Sequence, residues 1–265
     1  MLELNVIIAL LLIGSIVGFT AGLLGIGGGA IIVPGLTAIF LHQGLPKDNL
    51  MHLALATCMA SIIFTSISSL RAHHARGCVL WPIVKQMFIG ILVGSFLVTF
   101  VASSLTSLFL AIFFSLFMVF VSLQMFLDNK TIKPMPNPRE LFFVSTGIGA
   151  ISALVSIGGA SLTVPYLVRR SVDIKKAIGT SSAIGLPISL AGTLGYLING
   201  WSHTSADSLT FGFIYLPAVI LISFASSICA PIGVSMAHRL PVRQLKKIFA
   251  VLLILLSIKM LVSII

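Results

Sequence analysis

Apolar residues run almost unbroken for about twenty positions at a time along this chain, and short clusters of polar and basic residues separate the runs. The runs lie at 5–24, 29–41, 50–70, 84–102, 106–127, 141–156, 160–168, 177–198, 211–236 and 247–265. About twenty apolar residues in a helix cover the roughly 30 Å hydrocarbon core of a bilayer. The runs are continuous rather than alternating, which excludes an outer-membrane barrel. The pattern predicts an all-α polytopic membrane protein with eight long transmembrane helices and two short ones. The short ones are 29–41 and 160–168, well under a membrane's thickness at 1.5 Å per residue.

Both short runs follow glycine clusters, and the clusters are copies of one another. Residues 26–34 read Ile-Gly-Gly-Gly-Ala-Ile-Ile-Val-Pro and residues 157–165 read Ile-Gly-Gly-Ala-Ser-Leu-Thr-Val-Pro. With Pro34 on Pro165, Gly18 falls on Gly149. Ala54-Leu-Ala-Thr57 matches Ala177-Ile-Gly-Thr180, and Gly77…Pro82 matches Gly212…Pro217. At that last spacing Ser122 and Met125 fall on Ser257 and Met260. The chain therefore reads as a first membrane repeat, 1–127, a Pro-rich cytoplasmic linker, 128–140, and a second repeat, 141–265, forming one integral domain. Pro134, Pro136 and Pro138 favour an extended tether over a helix in the linker. Five segments per repeat is an odd number, so the two repeats are expected to be inverted.

Charge placement gives the orientation. Arg71, Arg76, Lys85, Lys130, Lys133, Arg139, Arg169, Arg170, Lys175, Lys176, Arg239, Arg243, Lys246 and Lys247 fall in alternate loops, leaving only Lys47 and Lys259 of the 16 Lys and Arg elsewhere. The positive-inside rule makes those loops cytoplasmic and both termini external. The net charge of +10 is thus read as loop anchoring, not nucleic-acid binding. With 58% hydrophobic and 8% charged residues the chain cannot cover a water-facing surface. Residues 1–24 read as structural rather than as a signal peptide, since they carry Glu3 and no Lys or Arg ahead of the apolar run. Cys58, Cys78 and Cys229 lack the spacing of a redox pair or zinc site and read as packing residues.

Glycine-interrupted segments, one per half, are the pattern of a secondary transporter with its site at the breaks. Unpaired backbone in lipid costs several kcal/mol per group, so such a break must line a cavity or lie buried in protein. A helix restarting there offers free N–H groups and the positive end of its dipole, an anion site without a charged side chain. The expected substrate site is Gly27, Gly28, Gly29, Gly158 and Gly159, with Ser161, Thr57, Thr180 and Ser181 as hydroxyl donors; Pro34 and Pro165 complete the motif. Gly14, Gly18 and Gly22, four apart, read as helix-packing positions.

All six acidic residues, Glu3, Asp48, Asp128, Glu140, Asp173 and Asp207, are expected in loops or at the terminus, which disfavours metal-cation transport. No metal site and no organic cofactor are implied. No Ser-His pair, Asp dyad or His-Glu-x-x-His motif lies within a span, so the chain reads as a non-enzyme. The plainer reading of His73-His74 is a solvated loop facing lipid headgroups; the other is an anion vestibule or proton acceptor.

The motifs GFTAGLLGIGGGAIIVP and GIGAISALVSIGGASLTVP, with the Ala-x-x-Thr segments that follow, resemble the TauE/SafE family of membrane permeases over nearly the whole chain. The resemblance implies export of sulfite or transport of organosulfonates across the cytoplasmic membrane, with the bilayer and a small anion as partners. It leaves the anion, coupling ion and oligomeric state open. A different small solute, a metal cation, or a scaffold or biogenesis role without transport are the alternatives.

Overall fold

The computed structural model describes residues 3–25, 27–45, 47–126, 137–203 and 209–237, and positions 250, 251, 253–258, 260 and 262. The described helices are α1 (Leu4–Leu24), α2 (Gly29–His42), α3 (Leu50–His74), α4 (Trp81–Ser104), α5 (Ser107–Phe126), α6 (Pro138–Leu154), α7 (Ala160–Val168), α8 (Ile174–Asn199) and α9 (Leu216–Ala237). The described positions between 250 and 262 are also helical. Among the described residues six helices are long and apolar enough to cross a membrane: α1, α3, α4, α5, α8 and α9. Helix α6 has 17 residues, and α2 and α7 have 14 and 9.

Several helix ends extend a few residues past the sequence reading, so that Arg71, Lys85, Lys175 and Lys176, expected in loops, lie near the ends of α3, α4 and α8. Two other boundaries differ in kind. Pro138, expected in the extended linker, opens α6, with Arg139 and Glu140 in the same first turn. A first-turn proline loses no hydrogen bond, because its N–H would lack an intrahelical partner. The rest of that linker lies outside the described residues, except Asn137. The run at 211–236 opens as a hairpin, β1 (Thr210–Phe211) with β2 (Ile214–Tyr215), before α9 begins. Gly212 supplies the left-handed turn at φ 58. Its apolar residues are strand-compatible, and hydrophobicity alone does not separate the two conformations.

The helices pack through small residues. Gly14, Gly18 and Gly22 on α1 lie against the carbonyls of Ile222, Ser226 and Ala230 on α9, and a Cβ at Gly14 would stand 2.7 Å from the Ile222 oxygen. The two helices therefore run parallel. Gly90 and Gly94 on α4 meet Phe142 and Thr146 on α6, and Gly149 meets Ile91, again in parallel. Close backbone approach of this kind drives association where lipid removes the hydrophobic incentive. Helices α3 and α8 cross at the centre in opposite directions: Ser69 bonds Ser182 at one end, and Gly192 abuts Met59 further along. The outer face carries exposed Leu12, Phe64, Leu97, Leu116, Phe143, Ile220 and Phe224. That apolar surface identifies a multi-pass membrane protein rather than a water-facing one.

Hydrogen bonds recur at the positions matched in sequence. Ser122 Oγ donates to the Ala250 carbonyl at 2.9 Å, and Ser257 Oγ donates to the Ser115 carbonyl at 3.0 Å. Ser115 stands as far before Ser122 as Ala250 before Ser257, so the two bonds are reciprocal.

Candidate substrate site between two glycine tips

Each glycine cluster breaks the chain as its composition requires. Helix α1 stops at Leu24, and Gly25 takes φ 72; Gly27 and Gly28 follow at φ 68 and 80 before α2 starts at Gly29. Helix α6 stops at Leu154, and Gly159 at φ 78 precedes α7. Residues with a Cβ rarely adopt these angles. Ser156, which matches Gly25, nonetheless holds φ 48. It is fixed by its hydroxyl, donating to the Leu55 carbonyl at 2.9 Å, and by its own carbonyl, which accepts from Cys58 Sγ at 3.4 Å.

The two tips touch. A Cβ on Gly27 would lie 2.5 Å from Gly158 Cα, and Gly29 is pressed against the Ser156 carbonyl. Beside the contact is a cavity of about 10 Å³, the room one water molecule needs. Gly25, Gly27 and Gly158 give it backbone walls, and Thr65, Ser66 and Ser69 from α3 and Ser182 from α8 give it hydroxyls. Ser69 Oγ donates to Ser182 Oγ at 3.2 Å, and Thr65 and Ser226 hydroxyls pair at 2.6 Å. At this size the tips are closed on each other.

The sequence-expected residues divide. Gly27 and Gly158 line the cavity. Gly28 and Gly159 make the tight turns instead, facing Val17 and Ile188. Thr57 Oγ1 accepts from the Tyr215 N–H at 2.9 Å and Thr180 Oγ1 from the Leu80 N–H at 3.0 Å, which anchors the starts of α9 and α4. Ser181 Oγ donates to the Ile178 carbonyl at 2.8 Å beside Gly25. Ser161 Oγ and Thr163 Oγ1, behind the second tip, are buried without a hydrogen-bond partner among the described residues. Pro34 and Pro165 sit inside α2 and α7, where each removes one helix hydrogen bond.

Thr65, Ser66 and Ser69 were missed in the sequence. They lie three and four apart, the helical period that puts them on one face of α3. The other side of the tips is built differently. The positions that match Thr65, Ser69 and Ser182 are Ile188, Gly192 and Met59. Ile188 and Met59 are fully buried, Met59 Sδ lies 3.2 Å from where a Cβ on Gly192 would be, and Ile188 fills the space over Gly159. One side of the contact is lined by four hydroxyls, and the other is filled mainly by the Ile188 and Met59 side chains, with the Thr163 hydroxyl beside Gly159.

The four described acidic residues are exposed, as expected, and one of the loop-edge histidines is not. Glu3, Asp48, Glu140 and Asp173 are exposed; Asp128 and Asp207 lie outside the described residues. His74 is exposed, but His73 is 1% exposed, so the solvated-loop reading fails for it. Its Nε2 lies 3.1 Å from the Gly22 carbonyl, which draws the ring into the helix contact. His52 is buried too, Nε2 3.1 Å from the Ala102 carbonyl. Among the described residues no three His, Cys, Asp or Glu side chains gather as metal donors. A wider groove of about 550 Å³, lined by Phe64, Arg71 and Pro231, opens on the outer face between α3 and α9.

The model of the sulfite exporter TauE/SafE family matches residues 10–260. The chain belongs to the TauE/SafE family. It is similar to a probable membrane transporter protein of Haemophilus influenzae, 35% identical over 96% of this chain and 97% of the relative. A probable membrane transporter protein of Methanocaldococcus jannaschii is 25% identical over 89% and 88%, and YunE of Bacillus subtilis, a probable membrane transporter protein, is 28% identical over 73% and 79%. No solved structure matches. The TauE/SafE assignment makes the chain a membrane transporter whose partners are the bilayer and a small solute.

Proposed function

We propose that this TauE/SafE protein exports a small sulfur-containing oxyanion, sulfite or an organosulfonate, across the cytoplasmic membrane as a secondary transporter. The observation that carries the reading is the contact of Gly27 with Gly158 beside a cavity with hydroxyls and no carboxylate. Hydroxyls donate to an oxyanion in place of its hydration, and no carboxylate stands among the lining residues to favour a cation. The site residues are Gly25, Gly27, Gly158, Ser66, Ser69 and Ser182, with Gly28, Gly29, Gly159 and Ser161 shaping and backing the tips.

The transport cycle we propose uses two inverted repeats, 1–127 and 141–265, joined by the 128–140 linker. The opposite directions of the matched helices α3 and α8, and the reciprocal serine bonds, support that arrangement. The basic loops face the cytoplasm, so the hydroxyl side of the tips opens inward and the Met59–Ile188 side outward. Rocking of one repeat on the other separates the tips and admits the anion. A negative-inside potential of 100 mV drives each anionic charge outward by about 2.3 kcal/mol.

Purified protein in sealed vesicles, given radiolabelled sulfite, sulfate, sulfoacetate or a divalent metal, tests the reading. Sulfur-oxyanion flux supports it. Metal flux alone would replace it with a cation transporter, and no flux of any solute with a scaffold role.

A further inference from the structure

The sides of the tips differ in one more matched pair, an imidazole on one side and a phenol on the other. His73 lies on α3 one turn beyond the cavity-lining Ser69, toward Arg76 and the turn after the helix. Its Nε2 is 3.1 Å from the carbonyl of Gly22, the neighbour of the cavity-lining Ala21. The matching residue on α8 is Tyr196, fully buried, whose hydroxyl donates to the Ala153 carbonyl at 3.5 Å. Ala153 matches Gly22. One hydrogen bond, from the central helix to the end of the helix before the tip, is thus made twice by different chemistry.

A carbonyl only accepts, so His73 Nε2 carries the hydrogen, and a second proton goes to Nδ1. Tyrosine does the same mechanical work with no proton exchange near neutral pH. The imidazole therefore brings a capacity the hydrogen bond does not require. The ionisable groups on the elements packed around it are these. Helix α1 has none, and α9 has only the Cys229 thiol. Helix α8 brings exposed Lys175 and Lys176 behind Asp173, whose carboxylate accepts from their backbone N–H groups. The turn after α3 brings Arg76 and Cys78, and α3 itself carries Arg71 and His74. His52, the other buried imidazole, stands at the far end of α3 against Phe213.

We infer that His73 is a proton-binding site coupled to occupancy of the cavity between the tips. The inference rests on the anion reading above. An anion held by Ser66, Ser69 and Ser182 draws a proton onto Nδ1, and a protonated His73 tightens the anion by the same factor. Anion binding and proton binding at His73 then favour one another, so the anion's affinity depends on pH.

The test is calorimetric titration of an alkanesulfonate, which takes no proton near neutral pH, into the full chain in lipid nanodiscs. Buffers of different ionisation heat report the protons taken up. Wild type is expected to take up as much as about one proton per anion, its affinity falling by up to about tenfold per pH unit as the imidazole deprotonates. His73→Tyr, which copies the Tyr196 arrangement, is expected to bind with pH-independent affinity and no proton uptake. His52→Gln is expected to keep the wild-type uptake. Sulfonate binding by wild type without proton uptake at any pH would overturn the His73 inference and leave the anion reading standing. Undiminished uptake in His73→Tyr would overturn it too. No sulfonate binding at any pH would remove the anion reading and this inference together.

Discussion

Thr57 and Tyr215 are joined by a hydrogen bond from the Tyr215 N–H to the Thr57 hydroxyl at 2.9 Å, and Thr180 holds the N–H of Leu80 in the same way at 3.0 Å. Each hydroxyl reaches from a central helix to the start of a helix in the other half, so the two halves are clasped twice. A helix start in a membrane has N–H groups with no intrahelical partner and no water to take them. Thr57→Val removes the acceptor while keeping the shape, leaving that N–H unpaired. The expected cost is about 1–3 kcal/mol of stability, read as a lower unfolding midpoint in detergent. Thr180→Val is expected to match it, and Thr57→Ser to stay near wild type.

Gly27 sits where no Cβ fits, against the Gly158 backbone and at φ 68. Gly27→Ala is expected to push the tips apart and lower sulfite flux more than tenfold, with the protein still inserted in the membrane. Gly147→Ala is the control, because a Cβ there meets nothing within 4 Å. Equal flux in the two variants, measured in vesicles at matched protein density, would contradict the role given to the tips.

How much of this was legible in the sequence depends on the kind of signal. The glycine tips were, because glycine clusters ahead of a proline leave few other ways for an apolar chain to fold. Gly14, Gly18 and Gly22 were as well, since a four-residue period marks one helix face, and that face lies on α9. The cavity hydroxyls were not. Ser66 and Ser69 look like any other membrane-helix serines until α3 is set against the tips. Thr57 and Thr180 were singled out by their coincidence in the repeat. That coincidence reflects a shared structural bond rather than shared contact with the cavity. His73 sits next to exposed His74 and Arg76, and only its burial under Gly22 separates it from them.

Ser69 and Ser182 bond each other at 3.2 Å across the cavity. In the proposed transporter an arriving anion takes both hydrogens. Ser69→Ala and Ser182→Ala are each expected to raise KM for sulfite about tenfold, one lost hydrogen bond to a charged group being worth roughly 1.5–3 kcal/mol. The double variant is expected to fall short of the sum, because each single change already disrupts the pair. Initial export rates over a range of internal sulfite check this. Unchanged KM in both single variants would move the anion site elsewhere.

Met59 and Ile188 stand where the other side of the tips has Ser182 and Thr65, and both are fully buried. Their packing over Gly192 and Gly159 sets thioether and hydrocarbon where the opposite side has hydroxyls, with the Thr163 hydroxyl beside Gly159. In the cycle proposed above, that side opens only when the central helices shift. Met59→Ser and Ile188→Thr each put a hydroxyl in place of the plug and free some of its volume, so water gains partners there. The folded protein is expected to persist, since each change removes only part of one buried side chain, at a cost of about 2–4 kcal/mol. The gate, by contrast, is expected to fail. Vesicles with the double variant should leak sulfite down its gradient in both directions, while wild type keeps its dependence on the imposed potential. A double variant as tight as wild type would show that the closed side is held by something other than these two side chains.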